Sequence, residues 1–212
     1  MEIERIDGYT DPRFSPEVLR QHGAFLADGQ PWSFRIVSDR EAVVSVPDGN
    51  LAGLEEAAAC FRFYAEHITA LYDEAGQCLL RLPEVARREV EIAALQPTQF
   101  SVDQEKCAAV GSFLRSGSDL VIPVAELEGA LCTLDGHTRL YTAWQRGIRT
   151  AMVFVSQKEP ADLAWLAGLV AEARRRGVFH VPDMALYGHQ EQEEKWTGWC
   201  QSYFAGKTGS NE

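Results

Sequence analysis

The sequence predicts an α+β protein. Three observations carry this: period-two alternation near the N-terminus, helical-period apolar stripes after it, and a strand–turn–helix run over residues 131–147. Residues 1–85 read as a small N-terminal α+β unit and residues 86–156 as a mixed sheet with packed helices. Residues 157–205 read as a helical segment packing on that core, and 206–212 as a disordered tail.

In the first unit, Asp11-Pro12 and Ser15-Pro16 precede a short helix expected over 17–22. Trp32, Phe34 and Ile36 alternate with Ser33 and Arg35, the period of a half-buried strand. Asp39-Arg40 turns the chain into Ala42–Val46, which completes a hairpin, and Pro47-Asp48-Gly49-Asn50 breaks it. Leu54, Ala58, Phe61, Ala65 and Ile68 then recur at helical spacing. A turn at 72–76 leads to Leu79-Leu80, and residues 81–88, with Pro83 and mixed charge, read as the linker. Phe61, Phe63 and Tyr64 read as core, and this unit shows no catalytic constellation.

The second unit opens with a strand expected over Val90–Leu95 and a turn at Gln96-Pro97-Thr98-Gln99-Phe100. Ser101 with Gln104 forms a capping-box pattern, so a helix is expected from about Val102, with Cys107, Val110 and Leu114 inward and Gly117 closing it. Val121–Val124 reads as a strand whose Pro123 predicts an edge or a bulge. Gly129 opens the next strand, which carries Leu131 and Leu134. Asp135 is the expected N-cap of the following helix; Leu140, Ala143, Trp144 and Gly147 line one face, and Gly147 suits its left-handed end. A strand at 150–155 follows.

Pro160 marks the next helix start, with Leu163, Leu166, Ala167 and Val170 as its stripe and Arg174-Arg175-Arg176 complementing its C-terminal dipole. Val181-Pro182-Asp183 punctuates, Asp183 capping a short turn. The last helix, about 189–204, is acidic at its front and carries Trp196, Trp199, Cys200 and Tyr203 behind. That aromatic stripe is expected to dock onto the core or onto a second copy of the chain, forming a homodimer.

The polar residues of the central run gather at a helix start, where unpaired N–H groups and the helix dipole favour an anion. Gly136, His137 and Thr138 would supply N–H groups, and Arg139 a guanidinium able to grip phosphate with two bonds. The alternative is that Asp135 only caps the helix while His137 and Arg139 are solvated or pair with a nearby acid.

Composition narrows the partners. A net charge of −11 repels the phosphates of DNA, and the one arginine cluster has a local explanation in the helix end. Five cysteines, odd in number and without a Cys-x-x-Cys pair, fit reduced thiols in a cytoplasm better than a disulfide framework or a zinc site. No signal-peptide pattern and no membrane-length apolar run is seen, so a cytoplasmic location with no membrane contact is expected.

The run Asp135-Gly136-His137-Thr138-Arg139, then an apolar helix, a glycine and the strand 150–155, resembles the signature of the ParB/sulfiredoxin superfamily over about residues 86–156. Its members include chromosome-partitioning proteins that bind CTP and DNA, enzymes that repair over-oxidised cysteine with ATP, and free-serine kinases. The resemblance implies a nucleotide (ATP, ADP or CTP, with Mg²⁺) at the motif. Cysteine repair needs a nucleophilic cysteine directly before the motif histidine; Gly136 stands there, and Cys132 in a strand is a poor thiolate. DNA partitioning needs a helix-turn-helix domain and basic surfaces, which are not evident, so a ParB-type DNA-binding regulator is the lesser alternative.

The nearest analogy is phosphotransfer to a small hydroxylated metabolite, with Asp135 and His137 as candidate catalytic groups. Asp135 would cap the helix or orient the attacking hydroxyl, directly or through Mg²⁺. In the kinases a glutamate after the first strand is the base, as the resemblance implies; Gln99 stands there and cannot accept a proton at neutral pH. Asp135 or Glu126 would then take that role, or the chain is a non-catalytic ligand-sensing or partner-binding module.

Overall fold

A computed structural model describes residues 1–46, 49–114, 120–156 and 163–208. The turn at Pro47-Asp48, the helix end at Gly117 and the helix start at Pro160 lie outside the described residues. The fold is α+β, and the chain divides into two compact units, Met1–Arg88 with Phe154–Gln157 and Glu89–Val153 with Lys158–Glu212.

The first unit holds a six-stranded sheet in sequential order: β1 (Ile3–Arg5), β2 (Ala24–Ala27), β3 (Gln30–Ile36), β4 (Glu41–Ser45), β5 (Ala70–Tyr72) and β6 (Cys78–Arg81). Helix α1 (Pro16–Arg20) precedes β2, and α2 (Leu54–Ala65) connects β4 to β5, the one parallel pair. A parallel pair needs such a crossover, because a tight turn can only reverse the chain. Trp32 and Phe34 of β3 and Ala42 and Val44 of β4 point inward, as the alternation predicts. Phe34 stacks on Phe61 of α2 at 4.6 Å, with Phe25 edge-on to both rings. A hairpin the pattern reading lacked, β2–β3, turns at Asp28-Gly29, both at positive φ (48° and 77°). Asp-Gly is the residue pair such two-residue turns favour.

The second unit's main sheet has the order β7 (Arg87–Glu91), β12 (Thr150–Val155), β10 (Val121–Leu127), β11 (Ala130–Thr133) and β8 (Leu95–Gln96). A separate parallel pair joins β9 (Ser101–Asp103) to β13 (Ala185–Tyr187). The helices are α3 (Gln104–Phe113), α4 (His137–Gln145), α5 (Leu166–Arg175), α6 (His189–Gln192) and α7 (Gly198–Thr208), the last two joined by a π-helical turn at Glu193–Thr197. Ala125, Cys132 and Leu134 pack against Leu166 and Val170 of α5.

Several expectations are corrected. The strand expected over Val90–Leu95 is split into β7, a 3₁₀ turn at Ile92–Ala94 and β8; Ile92 still donates to the Arg149 carbonyl, just before β12, and the chain then turns into β8 at the far side of the sheet. Pro123 lies in β10, the middle strand of five, and not at an edge. Its carbonyl accepts from Leu134 N, so its missing N–H falls on the same side, just past the last residue of β11, where little pairing is lost. Gly129 does not open β11; with Glu128 (φ 51° and 79°) it forms the two-residue turn of the β10–β11 hairpin. The buried stripe of α5 runs Leu166, Leu169, Val170 and Ala173, while Ala167 is exposed. The tail expected from Gly206 remains helical to Thr208.

Candidate functional site

The central run folds as strand, turn and helix, but its cap differs from the prediction. Gly136 takes the N-cap position at φ 85°, a left-handed backbone that glycine tolerates without strain, and no side chain caps α4. Asp135 is therefore not the cap. Its Oδ2 instead lies 3.3 Å from Arg139 Nη2, one helical turn on. Among the described residues no side chain accepts from the first-turn amides of α4, which concentrates positive potential at that end.

Arg139 folds back over this turn. A Cβ built on Gly136 would meet Ile122 Cδ1 at 2.6 Å and Arg139 Nη2 at 3.1 Å, so only glycine lets the guanidinium come this close. The side chain is 13% exposed, and its Nε is buried with no hydrogen-bond partner among the described residues. Such a donor is costly to leave unmet, by about 1–3 kcal/mol.

His137 is buried in the first turn of α4. Its Nε2 accepts the Thr98 backbone N–H at 3.1 Å, which places the ring proton on Nδ1; the Thr98 hydroxyl donates to the Thr133 carbonyl at 2.9 Å and lies 3.0 Å from the same ring nitrogen. Burial pushes the imidazole pKa down to about 4; Asp135 nearby opposes that shift and Arg139 adds to it. The ring is thus a neutral structural pin and not the acid–base group expected at this position. Thr98 was missed by pattern reading, since a threonine in a loop carries no signal for a partner 39 residues away.

The remaining candidates separate. Thr138 is half-buried on α4, and Gln99 is half-buried directly after Thr98, beside the motif. Glu126 is exposed on β10, three residues past Pro123. At the rise of an extended strand that is roughly 10 Å from the pair that meets the turn. The Cys132 thiol is buried in β11, and burial pushes its pKa up to about 11, so it stays protonated at neutral pH.

No family model matches this chain, and no curated protein matches it. Among solved structures it is similar to protein Atu1540 from Agrobacterium tumefaciens, at 12% identity and a TM-score of 0.37 over 54% of this chain and 69% of that one.

A second polar cluster escaped the sequence reading. Asp103, 2% exposed, is the true N-cap of α3: its Oδ1 accepts from Glu105 N at 2.7 Å and Lys106 N at 3.1 Å. The Ser101–Gln104 capping box does not form, because Ser101 is in β9 and its hydroxyl is given to Gln192 Oε1 at 2.8 Å. The other carboxylate oxygen of Asp103 holds His189 Nδ1 at 2.7 Å. Burial raises the Asp103 pKa, but the His189 bond and the two amide bonds together outweigh it and leave it lowered. The hydrogen bond to Asp103 raises that of His189.

The arginine cluster is fully engaged. Arg174 reaches Gln96 Oε1 at 3.0 Å and Glu128 at 3.2 Å, while Arg175 and Arg176 both hold Glu172 at 2.7 Å. Among the described residues no group of three or more His, Cys, Asp or Glu side chains forms a metal cage, and no helix is long and apolar enough to cross a membrane.

Proposed function

We propose that the start of α4 binds the phosphates of a nucleotide, with Gly136, His137 and Thr138 presenting backbone N–H groups and Arg139 clamping an oxygen. The observation that carries this reading is Arg139 Nε, a buried donor beside a helix start whose N-cap is a glycine, neither of them met by a side-chain acceptor among the described residues. A phosphate oxygen would satisfy both at once. The single 3.3 Å contact to Asp135 leaves the guanidinium most of its donors. In this reading His137 contributes its backbone and fixes the turn; its ring does no proton chemistry.

The likeness of residues 135–155 to the ParB/sulfiredoxin signature supports the same reading, and extends it to transfer of a phosphoryl group from ATP or CTP onto a small hydroxylated metabolite. Mg²⁺ usually reaches such sites on the nucleotide's own phosphates, so one carboxylate is enough on the protein side. Asp135 would be the carboxylate to meet it, and the ion would supply charge neutralisation when bound. The competing reading is a ligand-sensing module without catalysis, which Gln99 favours because it is an amide where the resemblance implies a carboxylate.

Calorimetry and thermal shift with ATP, ADP and CTP test the proposal, since a ligand that binds only the folded state raises its stability. Arg139→Ala is expected to weaken nucleotide binding at least tenfold, about 1.4 kcal/mol. Absence of binding by the wild type to all three nucleotides overturns the reading.

A further inference from the structure

In that reading the turn between α4 and its strand supplies phosphate-binding groups, and the candidate proton acceptors there among the described residues are engaged or distant. His137 is held neutral by burial, Asp135 is turned to Arg139, Gln99 is an amide, and Glu126 lies along the far part of β10. The Asp103–His189 pair has the missing chemistry. Asp103 is buried and holds Nδ1 of an imidazole whose side chain is 56% exposed, which orients the ring and leaves the bond to Asp103 on Nδ1, not on Nε2. A carboxylate behind a histidine fixes its tautomer and stabilises the cation formed when Nε2 takes a proton.

The packing of α3 on α4 brings that pair to the motif's end. Cys107 lies beside Thr142, Gly111 beside Thr142 and Arg146, and the Leu114 carbonyl accepts from Arg146 at 2.8 Å. Partner numbers therefore rise together, so the two helices run parallel and both start at the same end. Taken back one turn, this register leads from Cys107 toward Asp103 on one side and from Thr142 toward Thr138 on the other, and β9 does touch α4. The parallel pairing of β13 with β9, Tyr187 opposite Asp103, then delivers His189 two residues later.

We infer that His189 is the proton acceptor of a phosphoryl transfer at the α4 turn, with Asp103 as its positioning residue. This rests on the phosphate-binding reading above. The acceptor's O–H proton passes to His189 Nε2 as its oxygen bonds to the terminal phosphorus of a nucleoside triphosphate. The bond from that phosphorus to the bridging oxygen breaks, and its electron pair leaves with the nucleoside diphosphate. The imidazolium then returns its proton to solvent from the exposed edge of the ring. The charged and titratable groups around His189 are Asp103, Glu105 on α3, Glu193 on the next turn, and Tyr187 of β13, whose ring carries Lys195 at 4.8 Å. The three carboxylates favour the cation.

The experiment uses the full chain with ATP and Mg²⁺, and as acceptors water, glycerol, ribose and L-serine, following ADP release and, separately, ATP affinity by calorimetry. His189→Gln is expected to lower kcat at least 100-fold, the lower end for a general base, while ATP affinity stays within twofold. Added imidazole should restore part of the turnover of His189→Ala. In Asp103→Asn the acidic limb of the pH profile should move to lower pH, since the His189 base loses the charge that raises its pKa. Because Asp103 also caps α3, circular dichroism establishes that this variant is folded. ATP binding without ADP release from any acceptor, water included, or a His189→Gln enzyme that turns over normally or changes only KM, overturns the proton-acceptor role and leaves phosphate binding standing. No ATP binding at all overturns the underlying reading instead.

Discussion

His137 shows how burial reverses a residue's expected role. As a neutral ring in a polar motif it looked like an acid–base group, yet burial holds its pKa near 4, well under the ordinary 6.5. The folded state binds this proton more weakly than the unfolded chain, so stability rises with pH and is lost on acidification. The contribution is whole above about 6.5 and lost as pH drops toward 4, amounting to roughly 3 kcal/mol. His137→Gln removes the titrating ring. Urea denaturation at pH 7 and pH 4.5 is expected to show the wild type losing about 2–3 kcal/mol more than the variant between the two conditions. At the same scale the reading of Arg139 as a phosphate clamp rests on residue type and position. Its pairing with Asp135 was open in the sequence, because i, i+4 spacing allows an ion pair without requiring it.

Among the elements, α7 shows what periodicity reveals and what it leaves out. The stripe Trp196, Trp199 and Tyr203 predicted a docking helix, and the rings do stack, Trp199 on Tyr203 at 5.2 Å. What receives them is not visible in the stripe. Phe100 meets Trp196 edge-on, and Tyr203 lies against Gly168 of α5 with its hydroxyl donating to the Trp165 carbonyl at 2.9 Å. A Cβ at Gly168 would fall on the Tyr203 ring, within 2.5 Å of Cζ. Gly168→Ala should therefore cost about 1–3 kcal/mol by overpacking, although alanine is the better helix former. Urea unfolding followed by tryptophan fluorescence checks this, and an unchanged or raised midpoint would contradict the packing. The β2–β3 and β10–β11 hairpins make the converse point. Asp28-Gly29 is a recognisable two-residue turn that could have been read, whereas Glu128-Gly129 is a weaker form of the same signal.

For the molecule as a whole, charge is the property that reaches furthest. At −11, with the Arg174-Arg175-Arg176 cluster held by Gln96, Glu128 and Glu172, the described surface offers DNA no cluster of unengaged arginines there. Duplex DNA is accordingly expected not to shift the protein in a gel at moderate salt. A sequence-specific shift would favour the DNA-regulator reading over nucleotide chemistry.

The sequence by itself determined the α+β class, most of the helices, about half of the strands, and the helix-start motif. These follow from side-chain periodicity and turn chemistry acting over a few residues. Tertiary structure alone decided which polar groups meet. The Asp103–His189 bond spans 86 residues and depends on β13 pairing beside β9, and the Thr98 contact that fixes the His137 ring depends on a loop reaching α4. The physical reason is that a pKa and a hydrogen-bond partner are set by burial and long-range register, which no local window of the chain contains.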